Sequence, residues 1–121
     1  MVWNIESDRP VYVQLVEQIK RKIVAGEYKA GDRVPSVREL AGSAAVNPNT
    51  MQKALAELER VGLMYSQRTS GRFITEDEKM INDLKKEIAL EQIDTFIGNM
   101  VAMGIGKSEI LELFKARIEE M

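Results

Sequence analysis

The sequence predicts a mainly α fold: a winged helix-turn-helix domain of three helices and a β-hairpin wing over residues 1–75, then two C-terminal α-helices over residues 76–121. Three observations carry this expectation. Helical segments starting at Ser36 and at Asn47 are separated by about three residues, the spacing of a helix-turn-helix. Two short β-prone runs, Leu63–Gln67 and Arg72–Thr75, follow around Arg68-Thr69-Ser70-Gly71 as a wing would. Beyond Thr75 the apolar residues return to three- and four-residue spacing.

The first helix is read from Tyr12, Leu15, Val16, Ile19 and Ile23, with the polar Gln14, Glu17, Lys20 and Arg21 between them. Pro10 is tolerated in its first turn and Gly26 is a natural stop. Residues 28–35 read as a turn with a short extended piece. Ser36-Val37-Arg38-Glu39 matches a capping box and opens a short helix with Val37, Leu40 and Ala41 on its apolar side. Asn-Pro would ordinarily mark a loop, yet Met51, Ala54, Leu55 and Leu58 follow at helical spacing. Asparagine is a preferred N-cap and proline a preferred first helical residue, so Asn47 caps and Pro48 begins the second helix of the pair, with Gly62 as its stop.

Thr75-Glu76-Asp77-Glu78 is a second capping box and predicts a long helix running to about Met103, stopped by Gly104 and Gly106. Its apolar stripe changes side. Ile81, Leu84 and Ile88 point one way, while Ile93, Phe96, Ile97 and Met100 cluster on the other. Two different packing partners are expected, the winged domain or a partner subunit for the first half and, for the second, a helical dimer interface built from Ile93, Phe96, Ile97 and Met100 with Ile110, Phe114 and Ile118 of the last helix; the alternative is a kinked helix folding over its own domain.

Composition excludes much. The sequence contains no histidine and no cysteine, which removes imidazole bases, thiolate nucleophiles, disulfides and the common zinc sites. No metal and no cofactor is expected. The carboxylates fall at helix starts and outer faces, and no glycine-rich phosphate loop is present, so an enzyme is not expected. No apolar run approaches the ~18 residues of a membrane span, so the expected location is the cytoplasm and no membrane partner is predicted. Charge is split along the chain. Residues 1–75 carry 11 Lys/Arg against 8 Asp/Glu, and residues 76–121 carry 6 against 11, so a polyanion would meet the first part and be repelled by the second.

In a helix-turn-helix the second helix enters the major groove with its N-terminal residues toward base edges. Here those are Asn47, Pro48, Asn49, Thr50, Gln52 and Lys53. Asn and Gln can pair bidentately with adenine, Thr can bond a base or touch a thymine methyl, and Lys can meet phosphate or guanine. Ser36 and Arg38 at the preceding helix suit phosphate, and Arg68 and Arg72 flank Gly71 at the wing tip. The competing reading is a winged-helix protein-interaction module with no specific DNA binding.

The ordered set Pro10-x-Tyr12-x-Gln14-Leu15, Gly26, Gly31-x-Arg33-Val34-Pro35-Ser36-x-Arg38-x-Leu40-Ala41, Val46-Asn47-x-Asn49-Thr50-Met51, Ala54, Leu58 and Gly62 resembles the winged helix-turn-helix domain of GntR-family bacterial transcription regulators over residues 10–75. Asn-Pro-Asn-Thr, with a C-terminal part of two helices, is most similar to the YtrA-type subfamily. The resemblance implies a homodimeric regulator, often a repressor, acting on a double-stranded, pseudo-palindromic DNA operator. Its C-terminal helices would dimerise and could respond to a small-molecule effector, and transporter genes are a frequent target in this subfamily. It assigns DNA contacts to Arg38, Asn47, Asn49, Thr50, Gln52 and Gly71. Three departures stand out. Pro48 and Gln52 replace arginines common in relatives, Thr69 takes the first glycine of the wing, and Ala45 replaces a turn glycine, so its backbone must avoid positive φ or accept strain.

Overall fold

A computed structural model describes residues 3–121, which fold in the order α1 (Val11–Val24), α2 (Val37–Ala44), α3 (Pro48–Arg60), β1 (Met64–Gln67), β2 (Gly71–Ile74), α4 (Glu78–Ala102) and α5 (Lys107–Glu120). The chain divides into two compact units, one reaching to Lys85 and the other spanning residues 86–121.

In the first unit α3 is the centre, packing against α1, α2 and β1. Its apolar stripe of Met51, Ala54, Leu55 and Leu58 is completely buried, against Leu15 and Ile19 of α1, Leu40 of α2 and Ile74 of β2. Burial of each such large side chain is worth about 1.5–3 kcal/mol, and it fixes which face of α3 is left for solvent. Pro10 precedes α1 as its N-cap instead of lying within the first turn, and Gly26 follows its end with φ 85°.

The turn between α2 and α3 takes the strained alternative. Ala45 sits at φ 56°, ψ 47°, and its amide and that of Val46 close back on Gly42 and Ala41 at 3.3 and 3.0 Å. A left-handed non-glycine residue costs roughly 1–2 kcal/mol, while glycine's extra unfolded-state freedom costs about 0.4–1 kcal/mol. Ala45→Gly is therefore expected to stabilise by up to about 1 kcal/mol, raising the thermal midpoint by a few degrees. A lowered midpoint in a calorimetric scan would contradict the strain assignment.

The wing is a two-stranded antiparallel hairpin with Gln67 opposite Gly71 and Met64 opposite Ile74. Tyr65 and Phe73 stack across it with centroids 5.6 Å apart. The extended piece before α2 proves to be part of the same structure. Gly31 N–H donates to Ile74 O at 3.0 Å and Val34 N–H to Arg72 O at 2.9 Å, while Asp32 O accepts from Ile74 N–H at 2.9 Å. This lays Arg33 against Phe73 at the outer edge of β2.

Gln14, one of the polar residues between the apolar positions of α1, is fully buried. Its Oε1 accepts from Glu6 N–H at 2.7 Å and its Nε2 donates to Glu6 O and Arg9 O at 2.7 and 2.9 Å. The amide thereby satisfies both its own burial and the backbone of the segment leading into α1.

The long helix begins later than the capping box suggests. Asp77 Oδ1 accepts from Met80 N–H at 3.1 Å and caps α4, and Thr75 Oγ1 instead accepts from Asp77 N–H at 3.1 Å. Met80, Ile81 and Leu84, in the first turns, pack against the first unit's core. In the second unit, the rest of α4 and α5 are joined through Gly104 at φ 84°, with Ile105 N–H returning to Met100 O at 3.2 Å. Phe96 and Phe114 meet across the pair with centroids 5.9 Å apart. Among the described residues no helix is long and apolar enough to cross a membrane.

Candidate nucleic-acid interface

The first turn of α3 is built by its two opening residues. Asn47 Oδ1 accepts from Asn49 N–H at 2.7 Å, and Pro48 occupies the first helical position, where no amide is required. Because Met51, Ala54, Leu55 and Leu58 face the core, the helical period turns Asn49, Gln52 and Lys53 to the opposite side, where all three are exposed. Thr50 is half-buried at the edge of that face, beside a cleft lined by Trp3, Val11, Ala45 and Val46. Lys53 leans toward α1, its Nζ 3.9 Å above the ring of Tyr12. The cation–π contact holds a cation beside the polar row without neutralising it.

Ser36 Oγ accepts from Glu39 N–H at 3.1 Å, which gives α2 its cap, and Arg38 lies exposed on the first turn of that helix. A cleft of about 470 Å³ separates this turn from the wing, lined among others by Arg33, Pro35, Ser36, Glu39, Gly71 and Arg72. Arg33, whose role the sequence did not indicate, is brought here by its bridge to Phe73. A side chain at Gly71 would touch its guanidinium at 3.5 Å, and φ 103° at Gly71 already restricts the position to glycine. Arg68 stands exposed in the loop at the tip.

Arg72 does not project from the tip. Its Nε donates to Glu59 Oε1 at 2.7 Å, its Nη1 reaches Gln52 Oε1 at 3.4 Å, and its side chain is only 18% exposed. Ser66 Oγ donates to the same Glu59 oxygen. The Ser66 hydroxyl above all, and then the Arg72 guanidinium, hold the Glu59 carboxyl below the ordinary glutamate value, against burial, which pushes it up. A carboxylate with a depressed value contributes stability that is present above its unfolded value, near 4.5, and is lost as pH falls through the depressed one. Acid melts should therefore show the native protein losing more stability below that pH than Glu59→Gln, with the two curves parallel above it. Parallel curves throughout would mean the wing lock is not formed.

In the second unit, Ile93, Phe96, Ile97, Lys107, Ile110, Leu111 and Phe114 line a groove of about 520 Å³. Ile110 is the buried residue of this unit, Met100 is half-buried, and Ile93, Phe96, Phe114 and Ile118 are exposed.

A three-helix unit with a hairpin wing, a polar face at the start of the second helix of its helix-turn-helix and arginines on either flank defines a winged helix-turn-helix protein. The sequence profile described as "Bacterial regulatory proteins, gntR family" matches residues 11–74. The repressor YtrA of Bacillus subtilis is 36% identical over 110 residues, covering 90% of this chain and 85% of that protein. A GntR family transcriptional regulator from Listeria monocytogenes superposes with a TM-score of 0.84 at 41% identity, over 93% of this chain and 98% of that one. The DNA-binding domain of AraR, solved in complex with operator ORE1, superposes with a TM-score of 0.53 at 28% identity over 62% of this chain and 94% of that one. The chain belongs to the GntR family of bacterial regulators and is of the YtrA type. These relatives are transcription regulators, not enzymes.

Proposed function

We propose that the protein is a cytoplasmic, homodimeric transcriptional repressor that binds a pseudo-palindromic operator, with residues 1–75 reading DNA and residues 76–121 dimerising. The observation that carries the DNA reading is the exposed row of Asn49, Gln52 and Lys53 on the face of α3 opposite its buried stripe, with Arg38 exposed on α2. On this reading one α3 enters the major groove at each half-site, and half-sites lie roughly 34 Å or a multiple apart. AraR's complex with its operator supports DNA as the partner for a domain of this fold. YtrA's standing as a repressor supports the direction of control, and transporter genes are proposed as targets.

The dimer reading is supported by the second unit, whose apolar side chains are largely uncovered in the single chain. A small-molecule effector of unidentified chemistry is proposed to act on this same unit.

Mobility-shift titration against genomic fragments tests the function; binding indifferent to sequence at moderate salt would refute a specific regulator, and no salt-dependent DNA affinity at all would favour the protein-interaction module. Arg38→Ala is expected to weaken every DNA by about tenfold, as loss of a phosphate contact, while Asn49→Ala should relax preference at one base pair by about 1–3 kcal/mol. Equal loss on all sequences from both variants would show the roles to be wrongly assigned.

A further inference from the structure

Gln52 is not a free reader. A guanidinium carries five N–H donors and no acceptor, so the atom of the Gln52 amide that faces Arg72 Nη1 at 3.4 Å has to be the oxygen, and the NH₂ end is turned away from it. An isolated glutamine offers a base edge either end of its amide, because the two orientations are nearly equivalent in shape and opposite in hydrogen-bonding sense. Arg72 removes that ambiguity, and it is itself fixed: its Nε is held at 2.7 Å by Glu59 on the last turn of α3, the Ser66 hydroxyl of β1 bonds the same oxygen, and the ion pair is largely shielded from water, with 18% and 29% of the two side chains exposed.

We propose that Arg72 is a specificity-positioning residue, which orients the amide of Gln52 through the Glu59–Arg72–Gln52 chain and so sets which base that amide accepts. The proposal rests on the DNA-reading function above. A base contact by glutamine discriminates only when its donor and its acceptor face the matching atoms, acceptor to adenine N6–H₂ and donor to N7. An amide free to flip can turn its donor or its acceptor to whichever atoms a base pair offers, so it tolerates the wrong pair and loses selectivity. Arg72 therefore acts on sequence preference without touching a base. Lysine keeps the charge at this position but is a point charge without the planar fork that reaches Glu59 and Gln52 together.

The test is selection from a randomised operator pool, followed by titration, on the full chain carrying Arg72→Lys, Glu59→Gln, Gln52→Ala and the Arg72→Lys/Gln52→Ala pair. Native protein is expected to prefer one base pair at the Gln52 position by about tenfold or more. Arg72→Lys and Glu59→Gln should each reduce that preference to within about twofold while leaving the preference at the Asn49 position unchanged, and Arg72→Lys, which keeps the charge, should leave the salt dependence unchanged as well. Gln52→Ala should abolish it, and the pair should do no more than Gln52→Ala alone. Additive effects in the pair, or a uniform loss of affinity on every sequence with Arg72→Lys, would overturn the proposal, the latter identifying Arg72 as a phosphate contact. Glu59→Gln keeps the arginine, so retained preference in that variant would overturn it as well. A native protein with no sequence preference at any position would refute the regulator reading itself, a distinct outcome.

Discussion

Phe114→Asp should sediment as a single chain of 13.7 kDa and bind operator about a hundredfold or more weakly than the native protein. In the single chain Phe114 is 47% exposed, and Phe96, which it meets at 5.9 Å, also lies open. Of the seven residues lining the groove only Ile110 is buried, and Leu111 beside it is 68% exposed. An apolar surface of this kind is stable in water when a second copy covers it, and a carboxylate in its middle would have to be desolvated unpaired. The affinity loss follows because two linked half-site contacts bind about 10²–10⁴ times better than one. The first unit's core contains no residue beyond Leu84, so its melting should persist in the variant. A dimer that survives Phe114→Asp would remove the helical pair from the proposed interface.

Leu55→Ala should destabilise the winged unit by about 2–5 kcal/mol, the cost of a large-to-small change at a site with no exposed surface. For a unit of this size that lowers the thermal midpoint by about 10 °C or more. Leu55 belongs to the buried stripe of α3 and contributes no exposed surface to its polar face, so its loss should abolish operator binding near the lowered midpoint while sparing affinity well below it. Circular-dichroism melts beside shift assays at two temperatures would separate the effects. An unchanged midpoint would mean that α3 is not the centre of the core.

The helix-turn-helix was legible because it is written in local chemistry. Ser36 and Asn47 can act as caps only where a helix starts, and the spacing of Met51, Ala54, Leu55 and Leu58 states which face of α3 turns inward. That same period gave Asn49, Gln52 and Lys53 their common face. The change of side in α4's apolar stripe was legible for the same reason, and Ile81 and Leu84 do pack on the first unit's core. Side-chain destinations set by distant parts of the chain were not legible. Gln14 looks like any polar residue between apolar ones until the Glu6 and Arg9 backbone is folded over it. Arg72 is two residues past the wing loop and carries no sign that Glu59, thirteen positions earlier, will draw it back. Arg33 gains its place only when residues 31–34 add to the edge of β2. Near Thr75 the difficulty was redundancy: Thr75 and Asp77 are both competent caps, and the structure uses Asp77.

The opening of α3 at Asn47 and Pro48 has a thermodynamic consequence for recognition. Proline arrives with its φ already set, and the asparagine side chain closes the first turn at 2.7 Å in the free protein. In the proposed complex no ordering entropy is left to lose in that turn, so association there would resemble rigid docking, with a heat-capacity change set by the surface covered and not by a helix forming on the DNA.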